Sequence, residues 1–230
     1  MRAILLDWLM QVQYTIKLLP ATLWLTVGIL DRYLAISPHL KRDNLQLVGA
    51  TALLLASKIE EHRAPALKCF VEWTEGVCQK KDIQQMEFTI MQALDYQLIV
   101  TTAHNFLRLY LHRIQATKRI SYVAYYLAER MLLDASYFSY TAAVYAAGAV
   151  YAARFTAMYE SGIQHVVWTE ELVLESQLTA AEVLPCAAQM LRCARTPISP
   201  AKRRLLDTVH KKYATRQTQH VSEIDFPTLD

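Results

Sequence analysis

Val48-Gly49-Ala50-Thr51-Ala52-Leu53-Leu54-Leu55-Ala56-Ser57 carries no charge and only two hydroxyl side chains. A helix through this run is apolar all round, which a globular chain tolerates only where other elements cover every side. The pattern returns at Ala142-Ala143-Val144-Tyr145-Ala146-Ala147-Gly148-Ala149-Val150. The first run leads into Ser57-Lys58 and the second into Ala153-Arg154, a shift of about 96 residues (58 to 154). A repeat of that size, with one buried central helix per half, predicts an all-α chain of two tandem five-helix units.

The flanking sequence supplies the other helices. Ile4, Leu5, Trp8, Leu9, Val12, Ile16 and Leu19 follow helical spacing up to Pro20, which disfavours helix at the residue before it. Further helices are predicted from Ala21 to Ile36, from Asn44 to Glu61 and from Pro65 to near Gly76. Lys80 to Leu94 carries Ile83, Met86, Ile90 and Leu94 on one stripe. After Leu98 to Thr102, helices are predicted at Ala103–Gln115, Ser121–Asp134, Ser139–Tyr159, Thr169–Leu174 and Thr179–Ala194, with a last one between Pro197 and Thr208. The expected division is 1–100, 101–213 and a polar, extended tail over 214–230.

Composition agrees. The 230 residues include 53% hydrophobic and 20% charged, enough for a core and too apolar for disorder. Five glycines and seven prolines are too few for an all-β chain with a turn every ~8–12 residues. A net charge of +3 is far from the imbalance of a dedicated nucleic-acid binder. The longest apolar stretch, Phe138 to Ala153, is shorter than the ~18 residues of a membrane span. No leader pattern opens the chain, so Cys69, Cys78, Cys186 and Cys193 are expected reduced in an intracellular protein. Cys186 and Cys193 share a helix face and read as core.

No catalytic constellation is present in the sequence. No two glycines form a phosphate loop, there is no G-x-S-x-G elbow, and no C-x-x-C pairs with a histidine set. His39, His62, His104, His112, His165, His210 and His220 are scattered and read as surface or capping residues. Of the paired acids, Glu60-Glu61 and Glu170-Glu171, the second follows Thr169 and suits the positive end of a helix dipole. No cofactor, metal or enzymatic activity is expected.

Several segments, in order, resemble one family. Met1-Arg2-Ala3-Ile4-Leu5 with Asp7-Trp8-Leu9 resembles the opening of the cyclin box in A- and B-type cyclins. Asp31-Arg32-Tyr33-Leu34, Leu45-Gln46-Leu47-Val48-Gly49 and Leu54-Leu55-Ala56-Ser57-Lys58-Ile59-Glu60-Glu61 are similar to later segments of that box. So are Met86-Glu87 and Leu94-Asp95-Tyr96-Gln97-Leu98, while Lys212-Tyr213-Ala214-Thr215 resembles a motif late in B-type cyclins. The resemblance spans the chain to about Ile224 and implies two five-helix cyclin-box repeats. It also implies a regulatory subunit, nearest the mitotic B type, which binds a cyclin-dependent protein kinase as a heterodimer and switches it on. Such a subunit presses the kinase's regulatory helix inward, completing a Lys–Glu pair on the nucleotide phosphates and releasing the activation segment.

The resemblance also implies sites. Lys58 and Glu87 match the pair that grips the backbone at the start of the kinase helix, and Ile59, Met91, Tyr96 and Leu98 match the apolar contacts around it. Ile59 and Tyr96 stand where the family usually has Phe. Met1, Ile4, Leu5, Trp8, Leu45 and Gln46 match a shallow patch that captures Arg-x-Leu motifs in substrates and inhibitors. Gln11 stands where A-type cyclins carry an acid that meets the motif's arginine, so weaker docking is expected. Arg2 and Asp31 match a structural ion pair between the first two helices. The short helix that many cyclins place before the box, and a destruction box, have no counterpart in this sequence.

Lys202-Arg203-Arg204 and Lys211-Lys212 read as a solvated helix face, and Ser199-Pro200-Ala201-Lys202 as a helix start that also fits a Ser-Pro-x-Lys phosphorylation pattern. The expected location is nucleus and cytoplasm, with no nucleic-acid or membrane partner. The alternative is a cyclin-fold transcription adaptor that binds nucleic acid or polymerase machinery; it calls for basic clusters on both repeats and no Lys58/Glu87 pair.

Overall fold

The structure, a computed structural model, describes residues 1–196 and 206–229. The chain divides into two units, Met1–Thr102 and Ala103–Asp230. The described residues are helical and contain no strand. Unit 1 holds α1 (Arg2–Thr15), α2 (Pro20–Ala35), α3 (Leu45–Glu60), α4 (Leu67–Trp73) and α5 (Lys80–Ala93), with a 3-10 turn at Arg42–Asn44. Unit 2 holds α6 (Ala103–Arg113), α7 (Lys118–Leu132), α8 (Ala142–Ser161), α9 (Glu170–Ser176), α10 (Ala180–Arg195) and α11 (Thr208–Tyr213), with 3-10 turns at Ala135–Ser139 and Val221–Glu223.

Residues 48–57 are buried without exception, and α3 packs against α1, α2 and α5. α8 is the counterpart in unit 2, packed against α6, α7 and α10. Each central helix carries one glycine at its tightest contact. A Cβ on Gly49 would lie 2.8 Å from Leu5 Cδ1, and one on Gly148 would lie 2.6 Å from Cys186 Sγ. The absent side chains let α1 close on α3 and α10 close on α8. Cys186 and Cys193 are both buried on α10, and burial pushes the Cys186 thiol up to about 12.

Helix ends differ from expectation where side chains or turns intervene. α1 stops at Thr15 rather than running to Leu19, because Lys17 adopts φ 59° and the Gln13 amide donates to the Leu18 carbonyl. Thr117 and Thr141 cap α7 and α8, shifting both starts by about one turn from those predicted. Glu61 closes the gap before α2: its carboxylate accepts from the Leu19 N–H at 2.7 Å and the Thr22 hydroxyl at 2.5 Å. The predicted helix from Pro197, with Ser199-Pro200 and Lys202-Arg203-Arg204, falls largely outside the described residues; α11 begins at Thr208.

Three expectations fail in unit 2. The segment after Ala214 is not an extended polar tail. Val221 and Phe226 are buried, and the Phe226 ring stacks on Tyr126 at 5.7 Å. Two apolar anchors and a turn held by Thr215 and Thr218 are enough to dock it. Lys212 is not on a solvated face: its ammonium donates to both Glu129 oxygens, at 2.7 and 2.8 Å, while the Tyr213 hydroxyl donates at 3.0 Å. Glu129 is only 1% exposed. His104 is neither a surface nor a capping residue. It is buried beside Tyr125, and burial, with Arg108 and Lys212 adding repulsion, lowers its pKa to about 4.

Candidate functional site

Unit 1 presents two candidate surfaces. The first is formed by the end of α3, the middle of α5 and the loop after α5. Lys58 and Glu87, 29 residues apart in sequence, meet at 2.5 Å. The lysine side chain is 49% exposed and the glutamate 16%. An ion pair this open contributes at most ~1 kcal/mol to folding. It leaves two ammonium protons and one carboxylate oxygen free, so it offers donors and acceptors side by side to another backbone.

Apolar side chains border the pair. Ile59 and Tyr96 are exposed and Met91 is half-buried. Tyr96 projects from a loop in which Asp95 and Tyr96 both have left-handed φ, 49° and 60°. The Tyr96 N–H donates to the Met91 carbonyl at 2.8 Å, and Arg32 on α2 donates to the Gln97 carbonyl at 2.5 Å. Leu98 differs from the expectation of a contact residue. It is buried beneath the loop and presents almost no surface.

The second surface lies where α1 meets the start of α3. Met1 and Gln11 are exposed, Ile4 is 37% exposed, and Trp8, Leu45 and Gln46 are half-buried. Leu5 is again different: it is 8% exposed and fills the space over Gly49, so it belongs to the floor. α1 is held in place by Arg2 and Asp31, which form a two-pronged pair at 2.6 and 2.7 Å with both side chains largely covered.

Sequence reasoning missed Glu129, Glu61 and the partner of Arg32. The only available signal was the late Lys212-Tyr213 motif, which needs a carboxylate partner that the motif does not name. Among the described residues, no group of three His, Cys, Asp or Glu side chains could hold a metal ion, and no helix is long and apolar enough to cross a membrane.

The comparisons agree with one another. Residues 1–99 match the family model "Cyclin, N-terminal domain" and residues 101–227 match "Cyclin, C-terminal domain". The chain is 35% identical over 223 residues to Cyclin-B1-3 of Oryza sativa subsp. japonica, covering 96% of this chain and 45% of the relative. It is 36% identical over 232 residues to Cyclin-A2 of Gallus gallus, covering 100% and 56%. Against G2/mitotic-specific cyclin-2 of Medicago sativa it is 34% identical over 215 residues, covering 94% and 62%. The chain thus spans about half the length of the curated relatives it matches. In fold it is similar to a viral cyclin from herpesvirus saimiri, with a TM-score of 0.69 at 19% identity over 93% of this chain and 86% of that one.

Proposed function

The chain belongs to the cyclin family, and from that premise we propose that it is the regulatory subunit of a cyclin-dependent protein kinase in cell-cycle, mitotic control. The observation that carries the reading is the open Lys58–Glu87 pair framed by the exposed Ile59 and Tyr96 on one face of unit 1. A kinase helix docked there meets an ammonium and a carboxylate for its backbone groups and an apolar rim for its side chains. The activation is mechanical, a rigid surface holding the kinase helix in its active position, and the subunit contributes no catalytic group.

On the same reading, Met1, Ile4, Trp8, Gln11, Leu45 and Gln46 form a docking patch for Arg-x-Leu motifs in substrates or inhibitors, above a floor that includes Leu5. The neutral amide of Gln11 makes that docking weaker than a carboxylate would. The complex acts in nucleus and cytoplasm and uses neither nucleic acid nor membrane as a partner.

The test is charge reversal at the pair. Lys58→Glu with Glu87→Lys keeps an ion pair available at the same place, so helical circular dichroism stays unchanged. Binding of a cyclin-dependent kinase, measured by calorimetry, and phosphorylation of a histone peptide both fall at least tenfold, because each kinase backbone group now faces the wrong partner. A double variant that activates as well as the parent rejects the assignment of this face.

A further inference from the structure

In unit 2, α10 gives way to Thr196, an exposed residue with extended backbone, φ −71° and ψ 114°. Pro197 follows it in the sequence, outside the described residues, and a proline favours that extended region for the residue before it. The Thr196 hydroxyl donates to the Arg192 carbonyl at 2.7 Å, one turn back on α10. Arg130 on α7 donates to the Thr196 carbonyl at 3.4 Å. Arg192 and Arg195, both exposed, line an open pocket of about 510 Å³ together with Thr196, Leu191 and Thr228. No carboxylate is among the described residues that line it, and neither guanidinium has an ion-pair partner among the described residues. The Asp134 carboxyl, held below its usual range by hydrogen bonds from Ser136, is drawn down further by Arg130 and Arg192, so these two cations share one end of unit 2.

Three guanidiniums thus gather around one exposed hydroxyl that stands directly before a proline. We propose that Thr196 is a phosphorylation site for proline-directed protein kinases, and that Arg192, Arg195 and Arg130 hold the phosphate once it is added. In that step Thr196 Oγ1 bonds to the γ-phosphorus of ATP, the bond from that phosphorus to the β–γ bridging oxygen breaks, ADP leaves, and the hydroxyl proton passes to the kinase's catalytic base. The bond to the Arg192 carbonyl is lost, and a group of about −1.5 to −2 charge takes its place. Two effects then compete. The end of α10 carries about half a negative charge from its dipole and repels the phosphate. Each guanidinium carries a full positive charge and a fork of donors matched to phosphate oxygens, so attraction wins. The phosphate ties the end of α10 to α7. The site rests on this hydroxyl and these arginines and does not depend on the reading of unit 1.

The intact protein is incubated with a mitogen-activated protein kinase and ATP, and fragmentation mass spectrometry places the phosphate. Thr196 takes it up, and Thr196→Ala abolishes that uptake. Ser199→Ala leaves it unchanged and removes the neighbouring Ser-Pro site, so phosphorus NMR on this background follows a single phosphothreonine. Its second pKa, about 6 for a free phosphothreonine, is lower by roughly half a unit or more in the folded protein, because the guanidiniums favour the dianion. Arg192→Gln and Arg195→Gln, tested singly and together, each move it back towards the free value. Both arginines are exposed, so these variants keep the fold, which circular dichroism verifies. Phosphate confined to Ser199, no phosphate at all, a phosphothreonine that titrates at its free value, or a lowered value that survives loss of both arginines would each overturn the proposal.

Discussion

Lys212→Met is the sharpest probe of how unit 2 is held together. Lys212 and Glu129 lie 83 residues apart in sequence, and the lysine reaches both carboxylate oxygens at 2.7 and 2.8 Å. Their side chains are 13% and 2% exposed. Methionine keeps most of the stem volume and removes the charge. Glu129 is then left with the Tyr213 hydroxyl alone, and breaking one side of a buried pair costs ~3–5 kcal/mol at neutral pH. The pH dependence has a definite sign. Burial lowers His104 most and the Arg108 and Lys212 charges add to it, so removing the Lys212 charge lets the folded variant take up the His104 proton more readily. The loss relative to the parent is therefore largest at neutral pH, and part of it is recovered on acidification below the ordinary histidine value of ~6.5. Urea titrations followed by circular dichroism at pH 5 and 7 measure the difference. Hydrogen exchange in peptides from α7 and α11 assigns it to unit 2, since the two units need not unfold together. Adding Glu129→Leu restores most of the stability, because an apolar pair of similar volume carries no stranded charge. A loss under ~1 kcal/mol, or one identical at both pH values, refutes the electrostatic account and leaves Lys212 a packing stem only.

Two further outcomes follow from buried groups. With His104 lowered to about 4 in the fold, the unfolded chain takes up this proton first between pH ~6.5 and 4, so unit 2 loses up to ~3 kcal/mol across that window. His104→Gln flattens that limb of the stability curve, and an unchanged slope in urea titrations would exclude His104 as its source. Gly148→Ala costs ~1–3 kcal/mol despite the better helix former, because its Cβ meets Cys186 Sγ at 2.6 Å and the Ala187 backbone nitrogen at 3.2 Å. Gly49→Ala stays within ~1 kcal/mol of the parent, since only the flexible end of Leu5 stands in the way and the helix gains propensity. Thermal melts giving equal losses at the two sites would show that contact with a backbone atom is not what separates them.

The fold was legible because its signal is local. Residues 48–57 and 142–150 announce burial through composition alone, and each amphipathic helix around them shows its buried stripe at helical spacing. What escaped was set by distance along the chain. Glu129 reads as one more acid on an amphipathic helix until Lys212 and Tyr213 are folded onto it, and no periodicity links positions 83 residues apart. The segment after Ala214 was misjudged for a related reason. Its apolar residues are few, and Val221 and Phe226 are buried because Tyr126 and its neighbours on α7 were already in place to receive them. Of the candidate sites, the residue list was readable through resemblance, but exposure was not. Tyr96 and Leu98 stand two residues apart in one motif, and only the left-handed turn at Asp95 and Tyr96 sends one outward and the other into the core.

That turn is held from α2, the helix that also holds α1. Left-handed φ at two successive non-glycine residues disfavours the loop by roughly 1–2 kcal/mol each. The Tyr96 N–H to Met91 bond offsets part of this from within the loop, and Arg32 offsets more from α2 by gripping the Gln97 carbonyl at 2.5 Å. The residue before Arg32 faces another element: Asp31 receives Arg2 through two short hydrogen bonds and so fixes the start of α1. Adjacent residues of α2 thus hold the two elements that matter, Asp31 the helix bearing Met1, Ile4 and Trp8, and Arg32 the loop bearing Tyr96. Both residues are half-buried on α2. A change at Asp31 therefore loosens the α1 patch while the Lys58–Glu87 face keeps its geometry, and a change at Arg32 does the reverse, because each acts through its own hydrogen bonds to a different element.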